Sequence, residues 1–509
     1  MKPQKFYEGK ITRLDRKGRG VFDVTLPDGQ TRPMFVPFTS PGDVIQTSYM
    51  GRKKGIYFGK LEKVIKAGPH RIDPPAPGLE NYPGTPWLHI EYKTQLAYKR
   101  DMLNEAFKSQ GHKERISEVE ACPIIHHYRN RMDYTFGWRG ELGLREYGFW
   151  HKYYNITHDI LLCEEASEIL NICRNLIPRF DLKPWDHKKL EGDLRYVVIR
   201  DIKSTGQRMI GLIVKDLSKI NEPVREYLKT SLDKYATNIL LGENPDITDV
   251  STAQTTQILK GNPSVTEELN GVHYKMYLNS FFQTNSTTAA RLLEIVGQYI
   301  NNSNKSPTWV KRGLGALLHP VRINTSGTNP SNLPLRLING RIFQILDLYC
   351  GLGFFGIYLA KKNPHLRVSG FEIDEQAIEL AKKNAEINGV SDRCLFVAGK
   401  SEDLSWKDID ADVVIVDPPR AGLHPKVIKT LLEKKPRSII YVSCNYPRLV
   451  EDLKELKAEY KIADLHAIDQ FPNTPHVEVI CHLERSREIS FKRFLRFALR
   501  KCFGRNDSK

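Results

Sequence analysis

The part of the chain after residue 342 alternates between short apolar runs and longer amphipathic segments. Runs of about four to eight apolar, mostly β-branched residues predict buried strands, and apolar residues at helical spacing predict helices. This order predicts an α/β fold, a doubly wound parallel sheet with helices on both faces. The predicted strands are 342–349, 367–372, 394–397, 413–417, 437–443, 460–466 and 476–483, and the predicted helices are 354–362, 374–388, 424–434 and 447–458.

Three of the predicted strands end in residues that suit chemistry. One runs into a glycine-rich loop at 351–356, a second into Asp417-Pro418-Pro419-Arg420, and a third into Cys444. Open α/β sheets bind their ligands at the carboxyl ends of their strands. The three strand ends therefore predict an enzyme whose cofactor and reactive groups meet at one edge of the sheet.

The glycine loop has the spacing G-x-G-x-x-G, and Glu372 stands at the end of the next predicted strand. Glycines allow a close backbone approach to a ligand, and the acid accepts hydrogen bonds from ribose hydroxyls. NAD and S-adenosylmethionine both carry such a ribose, so the loop alone fits either cofactor. A ligand-free turn is the alternative for the loop, and a charge at a helix N-terminus is the alternative for Glu372.

The turn Asp417-Pro418-Pro419-Arg420 separates the two cofactors better. Nucleobase methyltransferases hold their target base at an acidic, proline-stiffened turn of this kind, whereas hydride-transfer enzymes have no need of one. The alternative is that the two prolines only end a strand and cap a helix.

The composition favours a polyanionic partner and a reducing compartment. A net charge of +16 indicates nucleic acid as the partner, although a generally basic proteome is the alternative. The eight cysteines are scattered, which argues against a disulfide scaffold. The first residues lack a signal-peptide core, and no apolar run approaches the ~18 residues of a membrane span. We therefore expect a cytoplasmic monomer with no membrane contact.

The N-terminal residues 5–66 contain five short apolar runs separated by turn signals, which predicts a small β-barrel of the OB type. Basic and aromatic side chains accompany these strands and suit a nucleic-acid surface, although a solvated basic rim is the alternative. These side chains are Arg13, Arg16, Lys17, Arg19, Arg52, Lys53, Lys54 and Tyr57.

A proline-rich linker and a helix at 92–103 lead into a segment of mixed α+β character at 122–272. Its predicted strands are 131–137, 195–200 and 209–214, and its predicted helices are near 164–176 and 221–235. Four arginines in its first part fit contacts with phosphates, namely Arg129, Arg131, Arg139 and Arg145.

The chain is long enough for roughly two to four domains. We predict the OB-like barrel at 1–66, a central α+β domain at 67–90 and 121–272, and the doubly wound domain at 91–120 and 273–484. Residues 301–341 are rich in Asn, Ser, Pro and Gly and are expected to form a mobile surface insertion. The basic tail, 485–509, has the pattern of an amphipathic helix, and a solubilising tail is the alternative.

Five short motifs, taken in order, resemble the RNA uracil-C5 methyltransferases. The match extends over residues 281–483, and residues 1–66 are similar to the TRAM domain of that family, an OB-like RNA-binding module. The motifs are Phe281-Phe282-Gln283-Thr284-Asn285, Asp347-Leu348-Tyr349-Cys350-Gly351, Asp417-Pro418-Pro419-Arg420-Ala421-Gly422, Ser443-Cys444-Asn445 and His476-Val477-Glu478.

The resemblance implies a Rossmann-like methyltransferase domain that uses S-adenosylmethionine to modify ribosomal or transfer RNA. It implies that Cys444 is the nucleophile that adds to C6 of uracil and that Glu478 is the base that removes the C5 proton. The implied cofactor and uracil pocket contains Gln283, Tyr349, Gly351, Glu372 and Asp417. A lone strand-end cysteine is more often a packing residue, and Glu478 could be merely an exposed strand residue. The uracil must leave its stack to reach both groups.

The chain departs from the resemblance in one respect. Many members of the family carry an iron–sulfur cluster on three closely spaced cysteines and a fourth further along the chain. Residues 67–92 contain no cysteine, and Cys163 alone, at the position of the fourth ligand, cannot hold a cluster. We therefore predict no iron–sulfur cluster and no other metal.

Three alternatives remain open from the sequence. RNA cytosine-C5 methyltransferases also use a strand-end thiol, but they usually carry a further cysteine in the Asp-Pro turn, where this chain has Asp417-Pro418-Pro419. An NAD-dependent oxidoreductase would leave Cys444 without a role. A non-catalytic RNA-binding protein would need neither Cys444 nor Glu478.

Overall fold

The structure is a computed structural model that describes residues 6–25, 29–149, 151–305, 343–403 and 405–486. Most of the predicted insertion at 301–341 and of the basic tail at 485–509 lies outside these residues. Within the described ranges, no helix is both long and apolar enough to cross a lipid bilayer.

The N-terminal part is a six-stranded sheet with the strand order β1-β5-β6-β4-β3-β2. Its strands are β1 (Phe6–Lys10), β2 (Arg13–Leu14), β3 (Gly20–Thr25), β4 (Thr31–Val36), β5 (Val44–Lys53) and β6 (Ile56–Lys66). The sequence predicted five strands here, and the structure has six, because the region of the first predicted strand is divided into β1 and β2. The chain turns between them, where Ile11 N donates to Asp43 O and Thr12 N donates to Val21 O.

The linker that follows is held by buried aromatic side chains. Tyr82 is fully buried, and its hydroxyl donates to Asp159 at 2.9 Å. The indole of Trp87 donates to Gly18 O of the N-terminal sheet at 2.8 Å. The linker ends at helix α1 (Tyr92–Ser109), which is longer than the predicted helix. Its Leu103 and Phe107 pack against the sheet formed by residues 343–485.

The central part is a seven-stranded sheet with the order β13-β12-β11-β10-β7-β8-β9. Only the pair β11–β12 is parallel. Helices α2 and α4 cover its apolar core, which contains Leu170 and Leu228. The elements are β7 (Arg131–Phe136), β8 (Leu142–Arg145), β9 (Tyr153–Asn155), α2 (Ala166–Arg174), α3 (Leu176–Phe180), β10 (Leu194–Ile202), β11 (Gln207–Val214), α4 (Glu222–Leu232), β12 (Asn238–Glu243) and β13 (Thr255–Lys260).

A hairpin of β14 (Ser264–Leu269) and β15 (Val272–Tyr277) joins the central sheet to the sheet formed by residues 343–485. Its Val265 and Tyr274 belong to one apolar cluster with side chains of both sheets. The predicted domain boundary after residue 272 falls inside this hairpin, and the division into domains stays a prediction.

The remaining residues form a second seven-stranded sheet with the order β18-β17-β16-β19-β20-β22-β21. All strands are parallel except β22, as the sequence predicted for the doubly wound part. The elements are α5 (Ser286–Lys305), β16 (Phe343–Leu348), α6 (Phe354–Lys362), β17 (Leu366–Glu372), α7 (Glu375–Ile387), β18 (Cys394–Ala398), β19 (Val413–Val416), α8 (Pro425–Lys434), β20 (Ser438–Ser443), α9 (Tyr446–Leu456), β21 (Tyr460–Ile468) and β22 (Glu478–Arg485).

The order of the strands places the candidate site. The chain builds outward from β16 through β17 and β18 on one side, and then through β19 and β20 on the other. The connections reverse direction beside β16, and such a switch point leaves a crevice at the carboxyl ends of the strands. The glycine loop, the Asp-Pro-Pro turn and Cys444 all follow strands that end at this crevice.

Candidate active site

Cys444 lies directly after the fully buried strand β20, where the backbone turns into α9. Strand β22 runs antiparallel beside β20, with Ser443 paired to Val479. Continued by one residue beyond the paired strands, this register sets Cys444 beside Glu478, the first residue of β22, and the charge of Glu478 acts on the thiol. The two side chains that the sequence could only propose separately are therefore brought to one end of adjacent strands.

Glu478 is buried, with only 3% of its surface exposed. The alternative that it is an exposed strand residue is therefore wrong. Burial raises the pKa of Glu478 well above its usual range, and the nearby negative charge of Asp417 raises it further. A carboxyl group in such surroundings is a strong base once it is ionised.

The Cys444 thiol is partly exposed. Burial is the main reason that its pKa is raised to about 11, and the carboxylates of Glu478 and Asp417 add to the effect. Arg420 acts in the opposite direction, since its guanidinium favours the thiolate by charge and by a hydrogen bond. Cys350, which stands directly before the glycine loop, is buried in the apolar core.

Asp417 follows β19 and contacts Gln283 of the Phe-Phe-Gln motif. Gln283 Nε2 donates to Asp417 Oδ2 at 3.4 Å, and Gln283 Oε1 accepts from Gln470 Nε2 at 2.6 Å. Burial raises the pKa of Asp417. The alternative that the two prolines cap a helix is wrong, because α8 begins at Pro425 with His424 as its N-cap.

Glu372 closes the glycine loop, whereas its predicted contact with ribose hydroxyls stays a prediction. Glu372 Oε2 accepts from Gly351 N at 3.2 Å, and Oε1 accepts from the backbone N–H groups of Ile373 and Asp374. Asp374, and not Glu372, is the N-cap of α7. Glu372 therefore holds the loop rather than the helix.

Two glycines of the loop have left-handed backbone conformations, with φ of +54° at Gly351 and +87° at Gly353. A Cβ added at Gly351 would meet no atom within 4 Å, so open space lies above it. A Cβ at Gly353 would lie 2.6 Å from Ile357 Cδ1, so this glycine is needed for packing.

Tyr349 lies between β16 and the glycine loop in a left-handed conformation, with φ of +66°. Its backbone N donates to Phe371 O at 2.9 Å, which ties it to the end of β17. Its ring packs partly buried against the apolar cluster beneath α8 and α9. Burial raises the pKa of its hydroxyl, and a hydrogen bond with Ser401 lowers it.

Asp347 at the end of β16 received no role from the sequence, but the structure places it at the base of the crevice. Asp347 is fully buried, and its Oδ2 accepts from Gly356 N at 3.2 Å, while Oδ1 has no hydrogen-bond partner among the residues that the structure describes. Burial raises its pKa to about 8, and the charge of Asp417 adds to the effect.

Gln470 and Arg420 also received no role from the sequence. Gln470 has no local signal in the sequence, because it contacts Gln283 only through the fold. Arg420 could have been found, since it lies in the quoted Asp-Pro-Pro-Arg motif and a cation beside a thiol favours the thiolate.

Comparisons with known proteins place this geometry in a family. The profile of the tRNA (uracil-5-)-methyltransferases matches residues 333–486. The tRNA (uracil(54)-C(5))-methyltransferase of Pyrococcus horikoshii is 32% identical over 93% of this chain and 99% of its own length. This chain belongs to the RNA uracil-C5 methyltransferase family. Other members include the 23S rRNA (uracil(747)-C(5))-methyltransferase of the same organism, 28% identical over 94% of this chain and 99% of its own length.

The crystal structure of a family member supports the cofactor. The tRNA (uracil-54, C5)-methyltransferase of Pyrococcus abyssi, solved in complex with S-adenosyl-L-homocysteine, is 30% identical and has a TM-score of 0.67. The match covers 94% of this chain and all of that chain. This methyltransferase is therefore an S-adenosylmethionine-dependent enzyme acting on uracil C5 in RNA. The alternatives of a cytosine-C5 methyltransferase, an NAD-dependent oxidoreductase and a non-catalytic RNA-binding protein are wrong.

The crevice of this methyltransferase fits S-adenosylmethionine. The cofactor has a cationic sulfonium and a cationic ammonium group, and the three neighbouring strand ends carry Asp347, Glu372 and Asp417. The unpartnered Oδ1 of Asp347 and the open space at Gly351 leave room for a ligand. Positive charges placed there would relieve the repulsion between Asp347 and Asp417.

The residues do not fit an iron–sulfur cluster. Cys163 is buried, and the linker at residues 67–92 contains no cysteine that could join it. The linker instead contributes the hydroxyl of Tyr82, which donates to Asp159, and Asp159 also accepts from Tyr134 at 2.9 Å. In the described part of the chain, no three His, Cys, Asp or Glu side chains are grouped as metal ligands. The absence of a cluster stays a prediction that iron absorbance of the purified protein would test.

Proposed function

We propose that this enzyme methylates C5 of a uridine in structured RNA through a transient bond between Cys444 Sγ and C6. The antiparallel register that faces Cys444 with Glu478 is the observation that carries the proposal. A nucleophile and a base at adjacent strand ends can act on neighbouring carbons of one pyrimidine ring.

The first half of the reaction makes C5 nucleophilic. Cys444 loses its proton to solvent, and the thiolate adds to C6, which moves the C5–C6 π electrons into an enolate. At pH 7 a thiol of pKa about 11 is ionised in about one molecule in 10⁴, and this fraction already includes the effect of Arg420, which favours the thiolate. S-adenosylmethionine supplies the methyl group, which C5 takes up as the bond between sulfur and methyl breaks.

The second half restores the aromatic ring and the enzyme. The Glu478 carboxylate takes the remaining proton from C5, the electron pair reforms the C5–C6 double bond, and Cys444 leaves C6 as a thiolate. The raised pKa of Glu478 strengthens it as a base for this step.

The remaining site residues hold the reactants in this proposal. Glu372 fixes the glycine loop and presents its carboxylate to the ribose, as in other glycine-loop sites. Asp417, held by Gln283, would bind the cationic end of the cofactor. Tyr349 forms the wall between β16 and the glycine loop.

The RNA partner is proposed to be transfer RNA or ribosomal RNA. The relatives named above act on uridine 54 of tRNA and uridine 747 of 23S rRNA. In the N-terminal sheet the exposed Arg52 lies over Tyr57 with 5.6 Å to the ring centroid, but the Tyr57 ring is buried in the core of the sheet. The expectation that Tyr57 lies on a nucleic-acid surface is therefore wrong, and we assign RNA contacts in this sheet to its basic side chains.

Two of the four arginines of the central part are engaged by acids. Arg131 binds Asp133 at 2.8 Å, and Arg145 binds Asp249 at 2.6 Å. Arg139 instead lies over the exposed ring of Trp138. We therefore assign flanking RNA contacts first to Arg139 with Trp138.

The test uses RNA that contains 5-fluorouridine. Fluorine at C5 cannot leave as a proton, so the adduct should stay bound to the wild-type protein in the presence of S-adenosylmethionine. A tRNA transcript and a 23S rRNA fragment are compared on denaturing gels. Cys444→Ala should bind cofactor as the wild type does but form no adduct, and an adduct in this variant would rule out Cys444 as the nucleophile.

Glu478→Gln is tested with ordinary RNA. Loss of a general base slows its step by about 10²–10⁴-fold, so methylated RNA should remain attached to the protein. The measurement is the fraction of methyl label that migrates with the protein on a denaturing gel. If Glu478→Gln released the methylated RNA at the wild-type rate, proton removal would belong to another group.

A further inference from the structure

The loop of residues 469–477 joins β21 to β22 and leads directly into Glu478. It is polar yet buried, which is unusual for a connecting segment. Buried polar groups need partners, so this loop must be held by side chains from elsewhere. Its buried polar residues are Asp469, Gln470, Asn473 and Thr474.

Helix α1 supplies those partners from two side chains one turn apart. Lys99 Nζ donates to Asp469 Oδ1 at 2.5 Å and to Phe471 O at 3.1 Å, and the side chains of Lys99 and Asp469 are both fully buried. Gln95 Nε2 donates to Asn473 Oδ1 at 3.0 Å, while Gln95 Oε1 accepts from Asn473 N at 2.9 Å.

Stability alone is a weak reason for this arrangement. A buried ion pair pays a large desolvation penalty, and apolar residues of similar volume often stabilise a fold as well. Asn473 also holds a left-handed conformation, with φ of +63°, which persists only where surrounding contacts fix it. Its Nδ2 donates to Ile125 O at 2.9 Å as a further anchor.

The same loop contacts both ends of the active site. Near its start, Gln470 Nε2 donates to Gln283 Oε1 at 2.6 Å, and Gln283 in turn donates to Asp417. At its end the chain enters β22 with Glu478 facing Cys444. A shift of this loop would therefore move the base relative to the thiol.

We propose that Lys99 and Gln95 are positioning residues that hold the 469–477 loop so that Glu478 meets the C5 proton. This inference rests on the proposed role of Glu478. Addition of Cys444 depends on a strand end outside the loop, and the loop reaches the cofactor side of the site through Gln470 near its start. Proton removal depends on where the end of the loop, after Asn473, delivers the carboxylate. Loosening the loop should therefore slow release of the methylated RNA more than methylation.

Asn473→Gly is the principal variant. Glycine adopts the left-handed conformation readily, so the backbone is kept while the side-chain contacts with Gln95 and Ile125 are lost. Lys99→Met is the second variant, with an unbranched apolar chain of similar length. Asp464→Asn is the matched control, since it changes a carboxylate on β21 that accepts from Tyr299 at 3.0 Å, outside the loop.

The experiment is a single turnover with labelled methyl donor and excess full-length enzyme, quenched in detergent at a series of times. Total label in RNA reports methylation, and label migrating with the protein reports the unresolved adduct. Small displacements of a catalytic group cost up to ~10²-fold in rate. We expect Asn473→Gly to slow adduct resolution about tenfold or more with methylation nearly unchanged. Lys99→Met should slow resolution more than methylation, because Asp469 adjoins Gln470, and Asp464→Asn should match the wild type.

Three outcomes would overturn the proposal, and they are distinguishable. If folded Asn473→Gly resolves the adduct at the wild-type rate while Glu478→Gln stalls, the loop contacts are only structural. If methylation and resolution fall together in Asn473→Gly, the loop does not act on Glu478 selectively. If Glu478→Gln itself resolves normally, the base assignment fails and the positioning role falls with it. Melting curves show whether the Lys99→Met protein is folded. If it is not, the adduct resolution rate of Asn473→Gly alone decides whether the proposal holds.

Discussion

Cys444 faces two carboxyl groups, which disfavour its thiolate in the free enzyme. Burial first, and then the charges of Glu478 and Asp417, raise its pKa to about 11. The thiol is therefore kept protonated until positive charges enter the crevice. Arg420 has the opposite effect on the thiol, since its charge and its hydrogen bond lower the pKa, and it prepares the site for ionisation.

The titration of Cys444 tests this balance. Because the thiol pKa is raised, the rate of alkylation by iodoacetamide should rise about tenfold per pH unit through pH 8–10 and level off near 11. Glu478→Gln removes a negative charge and should shift the plateau to lower pH. Alkylation of Cys444→Ala gives the background from other cysteines, and Asp464→Asn is a control for loss of a distant carboxylate. An unchanged plateau in Glu478→Gln would show that the two groups are not coupled.

The glycine loop shows how one element serves folding and binding at different positions. Gly351 and Gly353 both adopt left-handed conformations, but only Gly353 is enclosed by side chains. The carboxylate of Glu372 then fixes the loop by its bond to Gly351 N. The sequence predicted this loop and its acid from spacing alone, because both depend on neighbouring strand ends of a parallel sheet.

Alanine substitutions should separate the two roles of the loop. Gly351→Ala should cost only about 1 kcal/mol of stability, since the strain is in the backbone, but should weaken S-adenosylmethionine binding because its methyl occupies the open space. Gly353→Ala should cost more stability, since its Cβ meets Ile357.

Gly389→Ala is the matched control for these variants. Gly389 also has a left-handed φ, of +68°, with no atom within 4 Å of an added Cβ, but it lies after α7. Urea unfolding measures stability, and calorimetric titration measures cofactor binding. Equal loss of cofactor affinity in Gly351→Ala and Gly389→Ala would contradict the assignment of the open space.

At the scale of the whole molecule, the N-terminal sheet is attached to the catalytic body through the linker. Arg71 of the linker binds Asp43 at 2.8 Å, and Trp87 binds Gly18 O. His89 follows Trp87 by two residues, its backbone O accepts from Ile72 N, and it is 2% exposed. Burial lowers its pKa to about 3, and the positive charge of Arg71 adds to the effect.

The pH dependence of stability follows from His89. Its pKa is depressed in the folded state, so the unfolded chain takes up a proton first as the pH falls below 6.5. Stability present above pH 6.5 should be lost by about 1.4 kcal/mol per pH unit down to the folded pKa, or about 2 kcal/mol at pH 5. His89→Phe should remove this part of the slope. The check is urea unfolding of both proteins at pH 7, 6 and 5, and parallel losses would contradict the role of His89.

The sequence alone determined the catalytic sheet, its helices and the crevice at its strand ends. These follow from local hydrophobic periodicity, which each strand and helix carries within its own residues. The motifs around Gly351, Asp417 and Cys444 were readable for the same reason, and the resemblance they support predicted the family.

Only the tertiary structure decided which distant side chains meet. The pairing of Cys444 with Glu478, the bond of Gln470 to Gln283 and the ion pair of Lys99 with Asp469 join residues far apart in the chain. No local pattern encodes such contacts, because burial and strand register are set by the packing of the whole chain. The polar partners of a buried loop are fixed last, by whichever helix face the fold lays against it.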